Sequence, residues 1–152
     1  IRTTRKDTPV IYSPEETFSI GGSKIVRTSE QDSVTVVATG ITVHEAIKAY
    51  EELEKEKIFI RIIDAYSVKP LDKKTLNQAA FETKAVLVVE DHYPEGGLYE
   101  AVSSALNKSF VPVYGLAITK LPRSGKPEEL MAYEKIDADA IAEKVKKIIS
   151  QL

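Results

Sequence analysis

Short β-branched apolar runs alternate along the chain with stretches of helical periodicity, which is how a parallel sheet with crossover helices reads in one sequence. Four runs stand out: Val34 to Thr39, Ile58 to Ile63, Ala85 to Val89 and Val113 to Ile118. From the second run to the last, polar alternation is nearly absent, which predicts strands covered on both faces. Gly40 breaks the first strand, and Thr42 with Glu45 three residues later has the spacing of a capping box opening a helix. Val43, Ala46, Ile47, Tyr50 and Leu53 form the apolar face of that helix.

The later connections follow the same plan. Pro70 and Leu71 precede Asp72, a predicted N-cap, after which Leu76, Ala79 and Ala80 keep helical spacing. Gly96 and Gly97 lead into a third helix with Leu98, Ala101, Val102, Ala105 and Leu106 on one face. Asp137 is predicted to cap a last helix, whose docking stripe is Ile141, Val145, Ile148, Ile149 and Leu152, with lysines opposite. Before it, Pro122-Arg123-Ser124-Gly125-Lys126-Pro127 reads as a surface loop, with Pro127 starting a short helix through Tyr133. In the first thirty residues, Val10-Ile11-Tyr12 and Lys24 to Arg27 are strand candidates interrupted by Pro14 and Gly21-Gly22, and one of them is expected to add an edge strand. The alternation predicts a three-layer α/β/α sandwich.

A chain of 152 residues that is 43% hydrophobic has enough material for one well-packed core. With 21 basic and 23 acidic residues the net charge is −2, and neither sign forms a block, so neither nucleic acid nor membrane lipid is indicated as a partner. The absence of cysteine excludes disulfides, thiolate zinc sites and a cysteine nucleophile, and suits the cytosol. No apolar run approaches the roughly 20 residues that span a bilayer. A start at Ile1 without Met reads as a cut or processed chain.

Candidate chemistry is sparse. Glu90, Asp91 and His92 follow the third apolar run, at the carboxyl end of a strand where open α/β sheets place ligands. One reading makes them a proton-transfer or metal group; the plainer one has them cap a loop and line a domain interface. Gly96-Gly97 ahead of a helix could offer N–H groups to an anion, or could simply make a tight turn. His44 reads as an exposed residue in a helical first turn, and Arg123, Ser124 and Lys126 as a basic loop able to meet a phosphate but ordinary in composition. Arg2, Arg5 and Lys6 gather positive charge near the start. Nucleotide phosphate loops, a nucleophile with a base partner and a thiamine-binding Gly-Asp-Gly are all absent from the sequence, so the residues alone yield a fold and no reaction.

Several ungapped blocks nevertheless look familiar in combination. Ile1-Arg2-Thr3-Thr4-Arg5, Val34 to Ala46, Ile60 to Asp64 with Lys69-Pro70-Leu71-Asp72, Val89 to Gly97, Glu100 to Ala105, and Pro122 to Pro127 together resemble the last third of animal-type transketolases, in the same order and spacing. Deoxyxylulose-phosphate synthase and 2-oxoacid dehydrogenase β-subunits share the fold with looser versions of the Glu-Asp-His and Gly-Gly stretch. The Arg123 to Pro127 loop favours transketolase over both.

The resemblance implies a mostly parallel five-stranded sheet with one antiparallel edge strand, a linker and interdomain junction over residues 1–15, and the C-terminal domain over 16–152. It implies a homodimeric enzyme moving a two-carbon ketol unit between sugar phosphates of the pentose phosphate pathway. Its cofactors would be thiamine diphosphate and a divalent cation, Mg or Ca, both held by the other transketolase domains and neither expected on this segment. One residue carries over: Arg5 matches the arginine that binds the sugar-phosphate end of the substrate. For Glu90, Asp91, His92, Gly96 and Gly97 the resemblance implies an interface or structural role, since the family's catalytic histidines lie in other domains. The segment alone is expected to be inactive; a stand-alone interaction module is the competing expectation.

Overall fold

The computed structural model describes residues 1, 3–4, 7–121 and 123–152. Its strands are β1 (Lys24–Arg27), β2 (Val34–Ala38), β3 (Ile60–Asp64), β4 (Ala85–Val89) and β5 (Val113–Leu116). Its helices are α1 (Ile41–Lys55), α2 (Lys73–Glu82), α3 (Leu98–Ala105), α4 (Pro127–Glu134) and α5 (Ala138–Ile149). The strands form one sheet in the order β1-β3-β2-β4-β5, parallel except for β1, which runs antiparallel to β3. The edge strand is thus Lys24 to Arg27; Val10-Ile11-Tyr12 is not a strand, although Ile11 packs against the core.

Alternate residues of the central strands feed two different cores, and both are apolar. Val34, Val36 and Ala38 of β2 and Ala85, Leu87 and Val89 of β4 face α1 and α5, while Val37, Val86 and Val88 face α2 and α3. A strand covered on both faces has no solvent side to mark with polar residues, which explains the unbroken runs in the sequence. The result is the three-layer sandwich. Two polar residues in these strands find partners: Thr35 Oγ1 lies 3.0 Å from Thr83 Oγ1, and Arg61 meets Glu82 and, at 3.6 Å, Asp32.

Local chemistry sets most helix starts. Asp72 accepts the N–H of Thr75 at 3.1 Å and Asp137 that of Ala140 at 3.2 Å, each capping its helix as the sequence predicts. α1 differs from expectation: Gly40, with φ 59°, is its N-cap, and no side chain caps it. Thr42 lies inside the first turn, its hydroxyl placed 2.9 Å from Thr39 O and 2.8 Å from Val89 O, and so ties the ends of β2 and β4 together. Leu152 also departs from the predicted stripe; it is exposed, the helix having ended at Ile149. Strand ends shift by a few residues, with β3 starting at Ile60 and β5 stopping at Leu116.

Candidate functional site

The carboxyl end of β4 is built around Glu90, which is 2% exposed. The side chain turns back across the loop that follows it. Oε2 accepts the N–H of Leu98 at 2.6 Å and Oε1 that of Tyr99 at 2.9 Å, so one carboxylate satisfies two open donors at the start of α3. A negative group there is favoured both by these charge-assisted bonds and by the helix dipole.

The two glycines make this closure possible. Gly96 has φ 71°, in the left-handed region, and its N–H donates to Glu100 Oε2 at 2.8 Å. A Cβ on Gly97 would stand 2.2 Å from Glu90 Oε2 and 2.8 Å from Tyr93 O, closer than atoms can come. Glu90, Gly96 and Gly97 therefore form one unit in which the chain supplies its own anion. Asp91 is half-buried beside it. His92 stands exposed, with Nδ1 2.7 Å from the carbonyl oxygen of Tyr93.

A second cluster, at the end of β3, has no forerunner in the sequence reading. Asp64 is 7% exposed, and its Oδ2 accepts the hydroxyl of Tyr12 at 2.7 Å, while Oδ1 is buried with no hydrogen-bond partner among the described residues. Burial pushes the Asp64 carboxyl above the ordinary aspartate value, opposed by the Tyr12 bond and nearby His44. Tyr12 is pushed up as well, by burial first and then by Asp64. His44 is half-buried where the sequence suggested exposure, because α1 lays this turn against the sheet end; burial, then Lys48, lowers its pKa. The signal in the sequence was a carboxylate ending an apolar strand, but its tyrosine partner lies 52 residues away.

From Tyr12 onward the chain runs along the loop after β3. The Tyr12 and Phe18 rings meet edge to face at 5.0 Å, as do Phe18 and Tyr66 at 4.9 Å. Gly21 N–H donates to Ser67 Oγ at 2.9 Å, and Ser23 Oγ donates to Asp72 at 2.9 Å.

The basic loop is ordered by an aromatic ring. Arg123 Cζ lies 3.5 Å and Lys120 Nζ 4.1 Å from the Tyr133 ring centroid, while Ser124 and Lys126 are exposed. Arg2, Arg5 and Lys6 lie outside the described residues. Among the described residues, no group of three or more His, Asp or Glu is placed to hold a metal ion, and no helix is long and apolar enough to cross a membrane.

Comparison with known proteins places this arrangement. Residues 23–141 match the family model described as transketolase, C-terminal domain. The chain is 48% identical to human transketolase over 153 aligned positions, which take in 99% of this chain and 25% of that protein. It is also 48% identical to transketolase-like protein 2 of Mus musculus, over 98% of this chain and 24% of that one. Among solved structures, one titled split gene transketolase, inactive beta4 tetramer, superposes with a TM-score of 0.84 at 31% identity, covering 94% of this chain and 46% of the other. A transketolase from Campylobacter jejuni, at 19% identity and a TM-score of 0.63, shares the fold. The chain spans about a quarter of the length of the curated relatives it matches.

Proposed function

This chain belongs to the family of transketolase C-terminal domains, and from that premise we propose that it serves a thiamine-diphosphate-dependent transketolase as a structural module with one substrate contact. The whole enzyme transfers a two-carbon ketol unit between sugar phosphates in the pentose phosphate pathway, as a cytoplasmic homodimer. Residues 1–15 form the junction with the preceding domain and 16–152 the domain itself. Its partners are the remaining transketolase domains, a second copy of the chain and the sugar phosphate.

The observation that carries the structural role is the Glu90 cap. The helix start where an α/β sheet of this kind receives a phosphate is already occupied by a buried carboxylate of the same chain. The residues present do not fit thiamine diphosphate or its divalent cation, because that helix start repels a diphosphate and the described residues offer no metal-binding group. In this reading the chemistry belongs to the other domains, and this one supports them through the Glu90 to Gly97 loop. The relative titled an inactive beta4 tetramer, whose chain is about twice this length, supports inactivity of the segment alone.

Arg5 is the substrate contact, clamping the terminal phosphate through two parallel hydrogen bonds and so aligning the reacting carbons. The test is ketol transfer by the 152-residue chain and by the full-length polypeptide carrying Arg5→Ala. We expect no turnover from the former, and from the latter a raised KM for phosphorylated substrates with little change for short unphosphorylated ones. Equal losses on both substrate kinds would remove the phosphate role, and turnover by the chain alone would remove the structural one.

A further inference from the structure

Three large apolar side chains meet water on two adjoining loops at the carboxyl end of β3. Phe18 and Ile20 belong to the segment that leads into β1, and Val68 to the loop that leaves β3. Ile20 is 89% exposed, and Phe18 and Val68 are exposed as well. The two loops run together: Gly21 N–H donates to Ser67 Oγ at 2.9 Å, a Cβ on Gly21 would stand 3.1 Å from Pro70 Cγ, and the Phe18 and Tyr66 rings meet at 4.9 Å. Ile20 and Val68, each next to one of these contacts in sequence, thus share a patch with Phe18. A single exposed hydrophobic residue such as Phe81 on α2 is ordinary, but a group of them on neighbouring loops marks a surface that meets something. Polar bonds hold these loops in place, and not the burial of the three side chains. Ser67 Oγ donates to Pro70 O at 2.7 Å, Ser23 Oγ donates to Asp72 Oδ2 at 2.9 Å, and Lys24 pairs with Glu16. The apolar groups are displayed on a backbone that is already ordered, which removes much of the cost of docking.

We infer that this patch, centred on Ile20 and Val68, is where the preceding domain of the transketolase polypeptide docks, through an apolar face of its own. This rests on the family reading given above, in which residues 1–15 join that domain to this one. The position of the junction chooses the occupant. Ile11 packs against the core, the Tyr12 hydroxyl is held at the end of β3 by Asp64, and the Tyr12 ring meets Phe18 at 5.0 Å, so the junction enters the domain beside the patch. A domain tethered there faces the patch at an effective concentration that a free partner must compete with. The curated relatives also supply the material, since this chain spans about a quarter of their length. Finally, the Glu90 to Gly97 loop leaves the same end of the sheet, with β2 alone between β3 and β4, and one domain set over that end would cover both loops.

The test is hydroxyl-radical footprinting of the full-length polypeptide, read residue by residue by mass spectrometry and normalised for the intrinsic reactivity of each side chain. Phe18, Ile20 and Val68 should be oxidised roughly fivefold more slowly than fully exposed residues, since the centre of such a contact excludes water. Ile20→Lys sets a charge in that centre and should raise the oxidation of Phe18 and Val68 roughly threefold. The substitution costs the domain itself little, because Ile20 is exposed in it, and the core residue Leu76 should stay unreactive as the sign of an intact fold. Oxidation of all three residues at the fully exposed rate in the parent overturns the proposal, and so does protection that Ile20→Lys leaves unchanged. Protection lost on dilution, or a fall in sedimenting mass with Ile20→Lys, assigns the patch to a second copy and overturns it as well. Ketol transfer by the same parent sample keeps the two readings apart. Turnover with an unprotected patch removes this inference alone; absence of turnover removes the transketolase reading, while the footprint still decides whether a preceding domain covers the patch.

Discussion

Glu45 Oε2 accepts the backbone N–H of Ala138 at 3.1 Å, joining the second turn of α1 to the first residue of α5 across 93 residues of chain. The residue is 5% exposed, so this carboxylate and the open donor at the start of α5 satisfy each other away from water. Oε1 also meets Lys48 at 2.7 Å, but Lys48 is largely exposed and that pair adds little.

Glu45→Ala should therefore lower stability by about 1–3 kcal/mol, the usual result of orphaning a buried donor opposite a charged acceptor. Glu45→Gln keeps an acceptor and should lose less than half as much. Urea unfolding at constant m-value measures both. Equal losses for the two variants would mean that packing volume, and not the hydrogen bond, holds α5 in place.

At Gly97 the space for a side chain is already taken. The 2.2 Å approach of a Cβ to Glu90 Oε2 means that Gly97→Ala must displace either the carboxylate or the loop, with an expected loss of roughly 1–3 kcal/mol. Combining it with Glu90→Ala should recover only part of the clash, because Tyr93 O remains 2.8 Å from the new methyl. A double-mutant cycle reads the coupling; strict additivity would contradict the close packing of the two residues.

Glu90→Ala alone should convert a filled helix start into an open one. Leu98 and Tyr99 N–H lose their acceptor, with a stability loss of about 1–3 kcal/mol. Added sulfate or phosphate should then raise the Tm of this variant more than that of the parent at matched ionic strength, the difference between the two protein curves being the signal. Identical responses would show that the exposed donors are satisfied by water or by loop rearrangement.

Asp64 and His44 shape the pH dependence in opposite senses. Burial raises the Asp64 carboxyl above 3.8, so the folded state holds that proton more tightly than the unfolded one; the associated stability is present below pH 3.8 and lost as pH rises through the folded value. Burial, helped by Lys48, lowers His44 below 6.5, so its contribution is present above pH 6.5 and lost as pH falls through the folded value. Asp64→Asn should gain on the parent as pH rises above 3.8, and any advantage of the parent over His44→Gln should shrink below pH 6.5. Denaturant midpoints across the acid range check both, and three parallel curves would exclude both effects.

What could be read in the sequence was whatever repeats locally. The buried runs of β2, β3 and β4, the caps at Asp72 and Asp137 and the stripe from Ile141 to Ile149 each depend on neighbours a few positions away. The Thr42 and Glu45 spacing pointed to a capping box, but neither side chain caps α1; besides their local bonds to Thr39 and Lys48, they reach Val89 O and Ala138 N. Tertiary contact overrode a local motif there. The Glu90 cap and the Tyr12–Asp64 pair were illegible for a related reason: a loop of unknown path separates one carboxylate from its donors, and nothing periodic links the other to its tyrosine. Arg5 was marked by the resemblance, since the positive charge it shares with Arg2 and Lys6 singles out none of the three.

The carboxylate at the head of α3 is tethered, so its presence does not depend on what is dissolved around it. A helix start that waits for a free anion gains order as that anion accumulates, whereas this one is complete from the moment the chain folds. The domain is accordingly deaf at this position to the phosphate content of its surroundings. Any phosphate response must enter at another position.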